Sequence, residues 1–214
     1  SALLVLAPAL VLANPGPAPA RVPAAPASAS ASAKPLPGDS MFRLTDAFSD
    51  QNGRAFTLAQ RRGHAQLVAM FYSSCPYACP LLIESGKGVE HALSPAERAK
   101  LRVLYISLDP ARDDTKALAG VVSKRKVDGT RWTLARTDAA GVRRTAAVLG
   151  VRYRQLANGE FNHSSVLILL DADGRILART EKLGAVPDPA APENTSETPN
   201  RKPKSYQLPA RAEL

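Results

Sequence analysis

Two short, almost unbroken apolar runs organise the middle of the chain. Residues 66–72 (QLVAMFY) and residues 101–108 (LRVLYISL) both read as buried strands, the first bounded upstream by Gly63. Between them, residues 80–93 offer helical material interrupted by Gly86 and Gly88, and Ser94-Pro95 then places a capping serine ahead of a proline. Further on, the apolar positions take helical spacing. Asp113 or Asp114 caps a helix running to about Val127 with Leu118, Val121 and Val122 on one face. Asp138 caps another over residues 139–149, where Val142, Ala146 and Leu149 recur at three and four residues before Gly150 ends it. A short strand is expected over residues 132–135. Residues 165–170 and 175–180 flank Asp171-Ala-Asp-Gly174, a hairpin signal. Strands alternating with helices and closing in an antiparallel hairpin predict an α/β sandwich, a central mixed sheet flanked by helices.

A chain of 214 residues with 45% hydrophobic content supports one substantial core, and its ends differ from its middle. Residues 3–13 (LLVLAPALVLA) form an uncharged apolar run too short to cross a bilayer as a helix. Residues 1–13 are therefore read as the remnant of a secretory signal, without its basic n-region, or as a retained anchor. Residues 14–37, dominated by Pro, Ala and Ser, read as a linker, residues 38–184 as the folded domain, and residues 185–214 as a disordered tail of the same character as the linker. The domain is thus expected outside the cytoplasm, periplasmic or anchored to the membrane and facing the periplasm.

The formal charge of +9 raises the question of nucleic acid, but only 5% of residues are aromatic and the basic ones are scattered, so no nucleic-acid partner is expected. The basic surface suits steering toward an acidic protein or an anionic membrane face. Two cysteines cannot frame a disulfide-built domain, and Cys75 and Cys79 lie too close together to staple distant segments. Their use is chemical.

They lie in Phe71-Tyr-Ser-Ser-Cys75-Pro-Tyr-Ala-Cys79-Pro80, where a buried strand gives way to a helix. Amide groups at a helix start favour negative charge, so both thiols stand to ionise more easily there. Pro80 is expected at the first helical position, with Cys79 as N-cap and Cys75 folded back toward it. Three uses compete: a copper site, a dithiol/disulfide redox couple and an inert local disulfide. The three residues between the cysteines differ from the two of thiol oxidoreductases, and Tyr72 stands where a peroxidatic site would carry threonine. A metal site needs a further ligand. Of the three histidines, His64 reads as a surface loop residue and His91 as a solvated residue near a helix C-terminus. His163 immediately precedes a buried strand, on a loop at a sheet edge.

The chain here resembles the Sco/SenC family of copper-binding proteins that serve cytochrome c oxidase assembly. The resemblance runs through Cys75-Pro-x-x-Cys79-Pro80, Ile106-Ser-Leu-Asp-Pro-x-Arg-Asp113, and Asn162-His163-Ser164 before an apolar strand and the Asp-x-Asp-Gly turn. It implies a thioredoxin-like fold in which Cys75, Cys79 and His163 converge on one copper. It also implies an acidic position at Asp109 that supports the ligands or shapes the turn before Pro110. Two thiolates and an imidazole suit Cu(I), and Cu(II) with an added ligand. The implied partner is an exported copper-accepting protein, with a cytochrome c oxidase subunit as the family's client; the alternative is a thiol-disulfide oxidoreductase acting on such a protein's cysteines. Tyr77 is a departure, since many family members carry an acidic residue between the cysteines.

Overall fold

A computed structural model describes residues 35–184. The expected signal remnant or anchor, most of the linker and the tail lie outside the described residues. No helix among the described residues is long and apolar enough to cross a membrane.

The two apolar runs are the strands β3 (Ala65–Phe71) and β4 (Leu101–Ser107), and they pair in parallel at the centre of a seven-stranded sheet. Every residue of β3 is buried, which is what a strand covered on both faces requires. β5 (Trp132–Arg136) pairs parallel to β4, and β8 (Leu167–Leu170) pairs antiparallel to β3. β9 (Ile176–Thr180) returns from β8 through the expected hairpin, where Gly174 takes φ +84° and leaves no room for a Cβ, which would sit 2.6 Å from Phe42. β1 (Ala47–Asp50) and β2 (Ala55–Thr57) extend the other edge, giving the order β2-β1-β5-β4-β3-β8-β9. The mixed sandwich is the expected class.

Among the described residues four α-helices accompany the sheet: α1 (Ala78–Ala92), α2 (Pro95–Lys100), α3 (Thr115–Arg125) and α4 (Ala139–Leu149). Ser94 and Glu97 cap α2 reciprocally, Asp114 rather than Asp113 caps α3, and Asp138 caps α4, whose end at Gly150 is left-handed with φ +62°. α1 buries Leu82 and Ile83, each such side chain contributing roughly 1.5–3 kcal/mol. Gly86 is there because α1 lies so close to the sheet: a Cβ at this position would sit 2.5 Å from Tyr105 Oη and 2.8 Å from Trp132.

A second, two-stranded sheet pairs β6 (Tyr153–Gln155) with β7 (Phe161–His163). His163 therefore belongs to a strand, not to the loop that the sequence suggested.

Candidate metal centre

Topology brings three segments to one end of the sheet. β3 and β4 run in parallel and both leave there, with Leu108 N–H donating to the Phe71 carbonyl at 2.7 Å. β8 runs antiparallel to β3, so its start lies beside the end of β3. The cysteine segment follows β3, the Asp109 turn follows β4, and His163 shortly precedes β8.

The helix start differs from expectation. Tyr77, which makes no side-chain cap bond, is the N-cap of α1, so Cys79 is the second and Pro80 the third helical residue. A proline is tolerated throughout the first turn, because those N–H groups have no acceptor within the helix. The N–H of Cys79 is one such orphan, and it donates to Cys75 Sγ at 3.4 Å. Cys75 does fold back, and its sulfur does the work of a capping oxygen.

The two thiols consequently differ. Burial opposes ionisation of the half-buried Cys75, but hydrogen bonds from Cys79, Tyr77 and Tyr72 outweigh it and hold the thiol below its ordinary value. Cys79 is 2% exposed, and burial pushes its thiol well above the ordinary range, with the neighbouring Cys75 and Asp113 charges adding to the effect. The Tyr72 N–H reaching Cys79 Sγ at 3.4 Å offsets only part of this. The expectation that both cysteines gain from the helix start thus holds for Cys75 alone; at Cys79 desolvation wins.

His163 presents Nε2 to Cys79 Sγ at 3.8 Å. Its Nδ1 lies 3.1 Å from the Ser164 carbonyl oxygen, which only accepts, so Nδ1 carries the proton and the Nε2 lone pair faces the sulfurs. Burial lowers the imidazole pKa, against a smaller opposing effect of the Ser164 bond, and so favours the neutral ring. The donor atoms of Cys75, Cys79 and His163 all lie within 4.8 Å of one another, the only such grouping of three or more His, Cys, Asp or Glu among the described residues. Taking zinc's bond lengths of about 2.3 Å to sulfur and about 2.0 Å to nitrogen as a guide, one ion spans up to about 4.3 Å between S and N, so the 3.8 Å between Cys79 Sγ and His163 Nε2 suits a shared ion. His64 and His91 are exposed and stand apart from this group.

Asp109 is 2% exposed and is engaged with Arg112 rather than with either sulfur. The carboxylate that supports the cysteine loop is Asp113, which accepts from Ser73 N–H at 3.0 Å and from the hydroxyls of Ser73 and Ser107. In the sequence Asp113 stood out only as a helix cap and a motif residue. Asn158-Gly159, a strong turn pair, was the available signal for the β6–β7 hairpin that carries His163, and Gly159 there takes φ +82°.

The fold and this donor set define a class: an α/β sandwich that brings two thiols and an imidazole within reach of one another beside a strand-to-helix junction. The SCO1/SenC family pattern matches residues 34–192, and the chain belongs to that family. A SCO2-like protein of Rickettsia typhi is 26% identical over 154 residues, covering 67% of this chain and 75% of its own. Among solved structures, Bradyrhizobium japonicum ScoI with copper bound is 25% identical, with a TM-score of 0.56 over 63% of this chain and 85% of that one. Yeast Sco1 with copper bound shares the fold at 21% identity, with a TM-score of 0.54 over 63% and 76% of the two chains.

Proposed function

We propose that this protein is an exported copper metallochaperone, holding one copper as cargo through Cys75, Cys79 and His163 and passing it to an exported acceptor. The observation that carries this reading is the convergence of the three donors within 4.8 Å with the Nε2 lone pair turned toward the sulfurs. Two sulfurs and one imidazole favour Cu(I) by softness, and three ligands leave the ion open to an incoming thiolate or imidazole. The copper-bound ScoI of Bradyrhizobium japonicum supports copper as the metal.

Export and periplasmic placement, free or anchored, rest on the apolar run at residues 3–13. For the acceptor, charge is the guide. Lys124 and Arg125 line the groove that holds the cysteines, while Arg152 and Arg154, against a single Glu181, line the one beside His163; none of the four basic residues is paired with a carboxylate among the described residues. A cationic rim on both sides of the donors suits an acidic copper-accepting domain, with a cytochrome c oxidase subunit as the first candidate.

The inequality of the thiols supports a second reading, a thiol-disulfide reductase in which accessible Cys75 attacks and Cys79 resolves. The discriminating experiment uses wild type and His163→Ala and follows copper transfer to a reduced cytochrome oxidase copper domain and, separately, disulfide reduction of the oxidised domain. A chaperone loses transfer in His163→Ala, whereas a reductase retains its reduction. Failure of the wild type to transfer copper to any acceptor would overturn the first reading.

A further inference from the structure

Of the three donors, His163 alone is carried by the small sheet, two paired strands of three residues each. A hairpin that short is marginal by itself. Something must hold it against the end of the main sheet if His163 is to meet the cysteines, and two side chains reach it, Arg112 at the hairpin turn and Tyr72 along β7.

Arg112 follows β4 in the turn that begins at Asp109. Its Nε donates to the Asp109 carboxylate, and Asp109 is itself fixed by its backbone N–H bonding to Ser107 Oγ at 2.9 Å. From this anchorage the guanidinium reaches the hairpin. Nη2 donates to the Gly159 carbonyl at the hairpin turn, and Nη1 lies 3.8 Å from the Glu160 carboxylate. The other Glu160 oxygen accepts from Tyr72 Oη at 2.9 Å, and the Tyr72 ring meets the edge of His163 with centroids 5.8 Å apart and Phe161 at 5.3 Å. A path of contacts thus runs from Asp109 through Arg112, Glu160 and Tyr72 to the imidazole.

We infer that Arg112 is a positioning residue for the metal site: anchored by Asp109, it latches the β6–β7 hairpin to the turn after β4 and so places His163 against Cys79, with Tyr72 transmitting the placement to the ring. The inference rests on the copper reading above for its consequence, but the latch itself does not. The Ser164 carbonyl sets which nitrogen of His163 is free, and the latch sets where that nitrogen is. Only a planar fork serves three acceptors in this arrangement, so a lysine keeps the charge and loses most of the geometry. Asp109 thereby acquires a role at the site without touching a donor atom.

The test uses the full chain with Arg112→Ala, Arg112→Lys and Tyr72→Phe. In copper-free protein, amide exchange at Phe161, Asn162 and His163 should accelerate in Arg112→Ala while β3 and β4 stay protected. With copper, affinity should fall about 10- to 100-fold, in the range seen when outer partners of metal ligands are removed. The Cu(II) EPR spectrum should lose its nitrogen coupling, while the absorption spectrum keeps the sulfur-to-copper charge-transfer band. Arg112→Lys should recover only part of the affinity, and Tyr72→Phe, which keeps the ring, should lose less than Arg112→Ala. Adding Arg112→Ala to His163→Ala should cost no further affinity, an outcome that a general structural role would not give. Unchanged hairpin exchange together with unchanged nitrogen coupling in Arg112→Ala would overturn the inference. If the wild type binds no copper, the functional reading fails and the exchange measurement still decides the latch.

Discussion

The backbone N–H of Cys79 donates to the sulfur of Cys75 at 3.4 Å, so the helix that carries one cysteine helps to ionise the other. A single turn of chain thereby yields two thiols of opposite character, one half-buried and acidified, one buried and resistant to ionisation.

Reduced, copper-free protein should consequently alkylate first at Cys75. Because its pKa is lowered, the thiolate is populated below the ordinary thiol range of about 8.5, and its rate should climb over a lower pH interval than that of a free cysteine. Cys79, with its pKa raised, should stay protonated and unreactive across the same interval. Mass spectrometry of briefly alkylated protein from pH 6 to 9 checks this order; equal labelling of both cysteines throughout would contradict it.

Gly86→Ala should destabilise the domain despite the better helix propensity of alanine. That propensity is worth up to about 1 kcal/mol, whereas forcing a methyl to within 2.5 Å of Tyr105 Oη and 2.8 Å of Trp132 costs roughly 1–3 kcal/mol of overpacking. The hydroxyl cannot simply yield, since Tyr105 Oη donates to the Leu82 carbonyl at 2.7 Å. Thermal unfolding of the copper-free protein should show a lower Tm; a higher one would mean that α1 can lift from the sheet at little cost.

Gly86 also illustrates what was legible in the chain and what was not. In one dimension it only weakened a helix; its reason is the close approach of α1 to Tyr105 and Trp132, a tertiary fact. β3, β4, α4 and the β8–β9 hairpin were readable because each carries several apolar positions in register or a strong end signal. β1 and β2 were not, because strands of four and three residues with one large apolar side chain apiece, Phe48 and Phe56, give no period to detect. The donors Cys75, Cys79 and His163 stood out by residue type, spacing and family resemblance. Arg112 entered only as a motif residue, Tyr72 only as a departure from the peroxidatic pattern and Glu160 not at all, because what they do lies in meeting one another across long sequence separations. Cys79 misled as a helix cap because proline tolerance extends over the whole first turn, which allows the helix to begin two residues before Pro80.

A chain trimmed to residues 38–184 should bind copper as tightly as the full chain, because the removed residues contain neither Cys nor His. Competition with a chelator of known copper affinity provides the comparison. A tenfold or greater loss on trimming would assign the flanking residues a part in the site.

The assignment of one shared copper to Cys75, Cys79 and His163 is tested by titration of the reduced full chain with Cu(I) against a competing chelator, beside Cys75→Ala, Cys79→Ala and His163→Ala. One equivalent should bind the wild type, and each single replacement should weaken binding by at least tenfold, as loss of one of three ligands to a shared ion requires. Wild-type affinity in any of the three variants would contradict the assignment of that residue, and wild-type affinity in all three would contradict the account.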